Sequence, residues 1–150
     1  MAGWSDWDRR VDPTGCVLPG LLRRRAEEHP ARDYLRVGDG PWLSYGEVNA
    51  RANRVANALI ARGLRPGEAV STMLPNCAEN LAVWFGIQKA GGVQCPINLA
   101  YRGGFLSWVI NLPRSRFLVI ADAHLGMLEQ VAGELADLER VVVHATGARD

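Results

Sequence analysis

From Ala69 to His144 the chain alternates short apolar runs with single segments of helical period, and this alternation limits the fold more than any other feature. The runs are AVSTML (69 to 74), Val93 to Cys95, FLVIA (117 to 121) and Val141 to His144. Between them lie a segment from Asn76 to Lys89 that is apolar all round, Gly104 to Leu112 cut by Pro113, and Ala123 to Leu138. Apolar runs that lack polar alternation are buried on both faces of a sheet, and strands joined by single helices run parallel. The expectation is an α/β fold: four parallel strands built from βαβ units, with helices on both faces of the sheet. No internal repeat or low-complexity tract accompanies the pattern.

A helix and a short hairpin precede these units. Leu18, Leu21, Leu22 and Ala26 recur at helical spacing between Pro19 and Pro30. Extended pieces at Tyr34 to Val37 and Trp42 to Ser44 flank Gly38, Asp39, Gly40 and Pro41, which is turn chemistry. Ser44 and Glu47 form an S-x-x-E capping box, behind which Val48, Ala52, Val55, Ala56, Leu59 and Ile60 share one helix face up to Gly63. Asn76 and Glu79 repeat the capping logic. Residues 1 to 17 show no period and are expected to be an irregular arm.

The composition narrows the function classes. With 17 basic against 16 acidic side chains there is no basic footprint for nucleic acid, and 48% hydrophobic content is too high for disorder. At 150 residues a single domain buries roughly 68–70% of its unfolded surface, enough for a core without disulfides or metal. Cys16, Cys77 and Cys95 are odd in number and widely spaced, with no C-x-x-C and no histidine at metal-ligand spacing, so reduced thiols are expected and no metal site. The polar, acidic start does not read as a signal peptide, and LAVWFGI and FLVIA fall far short of the roughly 20 residues a bilayer requires. A cytoplasmic chain without a membrane span is the expectation.

In an open parallel sheet, ligands bind outside the carboxyl ends of the strands. Asn76 and Asp122 stand there, but both are also where a helix N-cap is wanted. Lys89 is the single lysine and lies in QKAGG, so there is no G-x-x-x-x-G-K-[ST] phosphate loop; G-x-S-x-G and H-E-x-x-H are absent too. Cys77, at the start of a helix whose dipole favours a thiolate, and Cys95, at a strand end, read most simply as small buried side chains. His29 reads as a solvated helix end, Trp84 and Phe85 as core, and Arg23 to Arg25 as a solvated face. The loop from Asn98 to Gly104 is polar, flexible and leads into a helix N-terminus, a place that suits an anion. Its weak candidates for a ligand cleft are Asn98, Tyr101 and Arg102, and a connector whose glycines let the chain turn is the simpler account of the same residues.

Three stretches resemble the adenylate-forming acyl-CoA synthetases, the AMP-dependent synthetase and ligase family. They are LSYGEVNARANRVANAL (Leu43 to Leu59), GLRPGEAVSTMLPNCAE (Gly63 to Glu79) and WFGIQKAGGVQCPINLAYRG (Trp84 to Gly103). With FLVIADA, the likeness runs in order from about Leu18 onward, nearest in look to carnitine-type and fatty-acyl-type CoA ligases. It departs at Leu112-Pro113, where members often carry a polar residue and a serine. The resemblance implies activation of a carboxylic acid with ATP and Mg2+ to an acyl adenylate, then transfer to CoA, in fatty acid metabolism. It also implies that the working residues lie in a Ser/Thr/Gly-rich loop, an aromatic-Gly-x-Thr-Glu segment, a ribose-binding Asp and a late lysine. No position of this chain matches those motifs, so no catalytic, cofactor-binding or metal residue carries over. Residues 18 to 150 are then expected to be an incomplete N-terminal subdomain, inactive and without cofactor alone. Self-association is expected, because helices such as Ala78 to Ala90 would lose part of their cover. The alternatives are a structural subunit of a split ligase and a stand-alone α/β small-molecule-binding module.

Overall fold

The computed structural model describes residues 17–146; nearly all of the expected N-terminal arm lies outside them. Helix α1 (Leu18–Glu28) starts with Pro19 in its first turn and buries Leu22 and Ala26. Strands β1 (Asp33–Leu35) and β2 (Leu43–Ser44) pair antiparallel with a bulge between Asp33 and Leu35. The hairpin is shorter than its apolar letters suggest, because Arg36 to Trp42 form an irregular loop.

Helix α2 (Tyr45–Ala61) carries the expected capping box in full. The Glu47 amide donates to Ser44 Oγ at 3.2 Å, and the Ser44 amide donates to the Glu47 carboxylate at 2.7 Å. That bond holds the Glu47 carboxyl below its ordinary pKa. Gly63, at φ +89, supplies the left-handed turn that ends the helix.

Strands β3 (Ala69–Met73), β4 (Val93–Pro96), β5 (Phe117–Ala121) and β6 (Arg140–His144) form one parallel sheet in the order β4-β3-β5-β6. Helices α3 (Ala78–Lys89) and α4 (Gly103–Asn111) make the first two crossovers. Side-chain alternation splits the sheet into two cores. Val70, Phe117, Val119 and Ala121 pack with Ala56, Leu59, Val83 and Ile87 of α2 and α3. On the other face Met73, Leu118 and Ile120 pack with Leu106, Ile110, Leu128 and Val131. Every residue of β5 is buried, as a central strand requires. Between the sheet and α4, the Ser71 and Ser115 hydroxyls are both buried and share a 2.9 Å hydrogen bond.

A third cluster, Leu22, Leu43, Val48, Ala52 and Phe85, lies where α1 and the hairpin cover α2 and α3. This explains the apolar surround of α3, which is sandwiched between the sheet and the α1–α2 layer. The expected loss of cover over Ala78 to Ala90 is therefore corrected: α1, α2 and the sheet cover it. Exposed apolar side chains include Phe105 and Trp108 of α4 and the following Leu112, at 52%, 55% and 65%, Val141 and Val143 of β6, and Trp42, Ile60 and Val93 elsewhere.

The single helix expected over Ala123 to Leu138 is broken into a 3-10 turn at Asp122–His124, a short helix α5 (Leu125–Glu129) and a second 3-10 turn at Ala132–Glu134. At its end a side chain from α4 intervenes. Asn111 donates to the Glu134 carbonyl at 2.8 Å and accepts from the Ala136 amide at 3.2 Å, replacing helical partners. Ser107 also donates to the Glu134 carboxylate.

At the amino ends of the strands, Arg116 joins three of them. Its Nη1 meets Glu68 at 2.9 Å, and its Nε and Nη2 grip both Glu139 oxygens at 3.0 and 2.9 Å. The bond from Arg116 lowers the Glu139 carboxyl, and Glu68 is lowered first by a backbone bond from Arg65.

Candidate functional site

The strand order reverses between β3 and β5: α3 carries the chain from β3 to β4 on one face, and α4 carries it back to β5 on the other. A crevice opens at such a reversal, outside the carboxyl ends of the strands. Here it is bordered by the corner Leu74 to Cys77 and the N-terminus of α3 on one side, and by Asp122 and the end of β6 on the other.

Each corner residue has a defined task. The expected cap at Asn76 moves one residue on, since Cys77 is the N-cap and makes no side-chain cap bond. Asn80 instead turns back to donate to the Leu74 and Pro75 carbonyls at 3.5 and 3.1 Å. Glu79 accepts from Arg51 of α2 at 2.7 Å, a half-buried ion pair. Asp122 accepts from the Ala123 amide at 2.9 Å and from the Thr146 amide and hydroxyl, which ties the end of β5 to the end of β6.

Two clefts of about 370 Å³ flank the corner. Asn76, Cys77, Asn80, Leu81 and Trp84 line the first, and Arg51, Arg54, Val55, Glu79, Val142 and His144 line the second. Between the clefts, the ligand-type atoms of Cys77, Glu79 and His144 all lie within 4.8 Å of one another, the one such group among the described residues. Spacing along the chain conceals it, because Cys77 and Glu79 start α3 and His144 arrives from β6 on the far side of β5.

The loop after β4 is occupied with itself. Asn98 Oδ1 accepts from the Ala100 amide at 2.9 Å. Arg102 Nη1 donates to the Leu99 and Tyr101 carbonyls, the latter at 2.8 Å. The Tyr101 ring meets Phe105 edge-on at 4.6 Å, and Phe105 stacks on Trp108 at 5.6 Å. Asn98, Tyr101 and Arg102 thus stand together at a carboxyl end, with the Arg102 head directed at its own loop.

Lys89 lies at the opposite end of the molecule. Its Nζ is held by Asn49 Oδ1 and Asn53 Oδ1 at 2.6 and 2.7 Å, and burial, then Arg23, lowers its pKa. It joins α3 to α2. Burial raises the pKa of the Cys95 thiol, although Cys95 and Cys77 are both only half-buried where buried side chains were expected. Lys89 is remote from the crevice and spent on two asparagines. Among the described residues no helix is long and apolar enough to cross a membrane.

The model of a family described as "AMP-binding enzyme" matches residues 22–149. A linear gramicidin synthase chain of Brevibacillus parabrevis is 32% identical over 138 residues, which are 92% of this chain and 3% of that protein. A crotonobetaine/carnitine–CoA ligase of Proteus mirabilis is 39% identical over 80 residues, 53% of this chain and 15% of its own. Among solved structures, the anthranilate CoA ligase AuaEII in complex with anthranoyl-AMP superposes with a TM-score of 0.79 at 28% identity, covering 84% of this chain and 24% of that one. A Mycobacterium tuberculosis fatty acyl CoA synthetase superposes at 0.80 with 23% identity, covering 89% and 27%, a likeness of fold. The chain therefore spans a small part of the proteins it matches.

Proposed function

Because the chain belongs to the AMP-binding enzyme family, we propose that these residues are the N-terminal scaffold of an acyl-CoA ligase. Such an enzyme activates a carboxylic acid with ATP and Mg2+ to an acyl adenylate and passes the acyl group to CoA. The observation that carries this reading is the superposition of the parallel sheet and its helices on an anthranilate CoA ligase holding anthranoyl-AMP. The likeness to a crotonobetaine/carnitine–CoA ligase supports a carnitine-type or fatty-acyl substrate. A cytoplasmic place in fatty acid metabolism belongs to the same proposal. On this reading the 150 residues supply architecture and not the nucleotide site, so alone they release no pyrophosphate. The open apolar groups on α4 and β6 favour self-association of the isolated domain.

The test assays the native polypeptide, with any coding sequence that continues it, for pyrophosphate release on a panel of carnitine-type, fatty, aromatic and amino acids. Acid-dependent release with formation of an acyl-CoA supports the proposal. Release with amino acids and no CoA thioester replaces it with amino-acid activation, the reading favoured by the 32% identity to a gramicidin synthase. Release by the 150 residues alone refutes the scaffold assignment.

A further inference from the structure

We propose that Cys77, Glu79 and His144 form a binding site for a divalent transition-metal ion of the zinc class. Their sulfur, carboxylate oxygen and imidazole nitrogen are the three donor types zinc takes, and they lie within 4.8 Å of one another. Bonds of about 2.0–2.3 Å in a tetrahedral shell put neighbouring donors roughly 3.3–3.8 Å apart. Closing onto an ion therefore takes about 1 Å of side-chain movement, which half-buried side chains at a cleft rim can make by rotating about χ angles.

The platform suits the task. Cys77 and Glu79 stand two residues apart where α3 begins, and His144 ends β6, held in register against Ala121 of β5. Neither platform is a free loop. Arg51 holds one Glu79 oxygen, Oε1, at 2.7 Å. A ligating carboxylate is commonly oriented by such an outer hydrogen bond. Thiolate and imidazole select zinc-like ions over Mg2+ and Ca2+. Three protein ligands leave a fourth position for water or a small anionic ligand, and Glu79 and His144 line the second cleft. This inference does not depend on the acyl-CoA ligase proposal.

Titration of the reduced, full native chain with Co2+, read by absorption, tests it. One equivalent should give a thiolate-to-cobalt charge-transfer band together with tetrahedral ligand-field bands, bleached by Zn2+ and untouched by excess Mg2+. Cys77→Ser should remove the charge-transfer band, and Glu79→Gln and His144→Gln should each weaken Co2+ binding tenfold or more. Far-UV circular dichroism selects the variants that fold. As a second readout, Zn2+ should raise the unfolding midpoint of the parent and not that of Cys77→Ser. Absence of the band at millimolar Co2+, its survival in Cys77→Ser, or an affinity unchanged in both Glu79→Gln and His144→Gln overturns the proposal.

Discussion

Gly86→Ala is a sharp test of how α3 meets α2. In an exposed helix the change stabilises, because alanine exceeds glycine by about 0.8–1 kcal/mol in helix propensity. At Gly86 the added Cβ would lie 2.6 Å from Val55 Cβ and Cγ1 and 2.9 Å from the Ala52 carbonyl oxygen. None of these atoms is the tip of a flexible chain, so the helices themselves must move apart. Overpacking of this kind costs typically about 1–3 kcal/mol, and a backbone atom among the contacts places Gly86 in the upper half of that range. After the propensity gain, the expected net loss is about 1–2 kcal/mol. Gly20→Ala in α1 is the control, since a Cβ there meets nothing within 4 Å; it should gain up to about 1 kcal/mol. Urea unfolding of both variants and the parent, at matched m-values, measures the difference. If Gly86→Ala is as stable as the parent or gains as much as Gly20→Ala, the close approach of α2 and α3 is wrong.

Ser44→Ala should cost about 0.5–2 kcal/mol in the same assay, because the Glu47 amide loses its acceptor. Ser115→Ala should cost about 1–3 kcal/mol by leaving the buried Ser71 hydroxyl without a partner. The double change with Ser71→Ala should recover part of that loss; a fully additive double variant would show that the hydroxyls do not bond. Glu47, Glu68 and Glu139 all have carboxyl pKa values lowered in the folded state from the ordinary 4.5. Their contribution is therefore present above that value and lost as pH falls through the lower folded values. Chemical denaturation from pH 7 to pH 3 should show a fall that Glu139→Gln makes shallower, and an identical slope would remove the Arg116–Glu139 bond from the account.

Local signals carry most of the fold. The Ser44–Glu47 box, Gly63, Pro113 and the apolar run of β5 each act within a few residues, and each element they bound is found within a residue or two of expectation. The segment expected as one helix to Leu138 ends otherwise in part through a remote partner: Asn111 takes backbone groups of residues 134 and 136 that periodicity assigns to a helix. The cover over α3 is hidden for a related reason, as nothing in the letters of residues 18 to 44 says that they fold onto it. The corner is legible only in part. Asn76 and Cys77 follow a strand end in the letters, but His144 joins them through the strand order, which four similar apolar runs do not encode.

The two ends of the sheet will also answer differently to heat. At the amino ends, Arg116 clamps β3, β5 and β6 through charged groups, and the desolvation that opposes such contacts shrinks as temperature rises. The carboxyl ends have the single Arg51–Glu79 pair and otherwise rest on Asp122 and on corner hydrogen bonds, with no clamp that spans three strands among the described residues. Amide exchange measured while warming should therefore accelerate first around residues 74 to 80 and 144 to 146, while the amides of 116 to 118 hold longest. These contacts predict a thermally graded molecule, softest at the rim where ligands of open sheets bind.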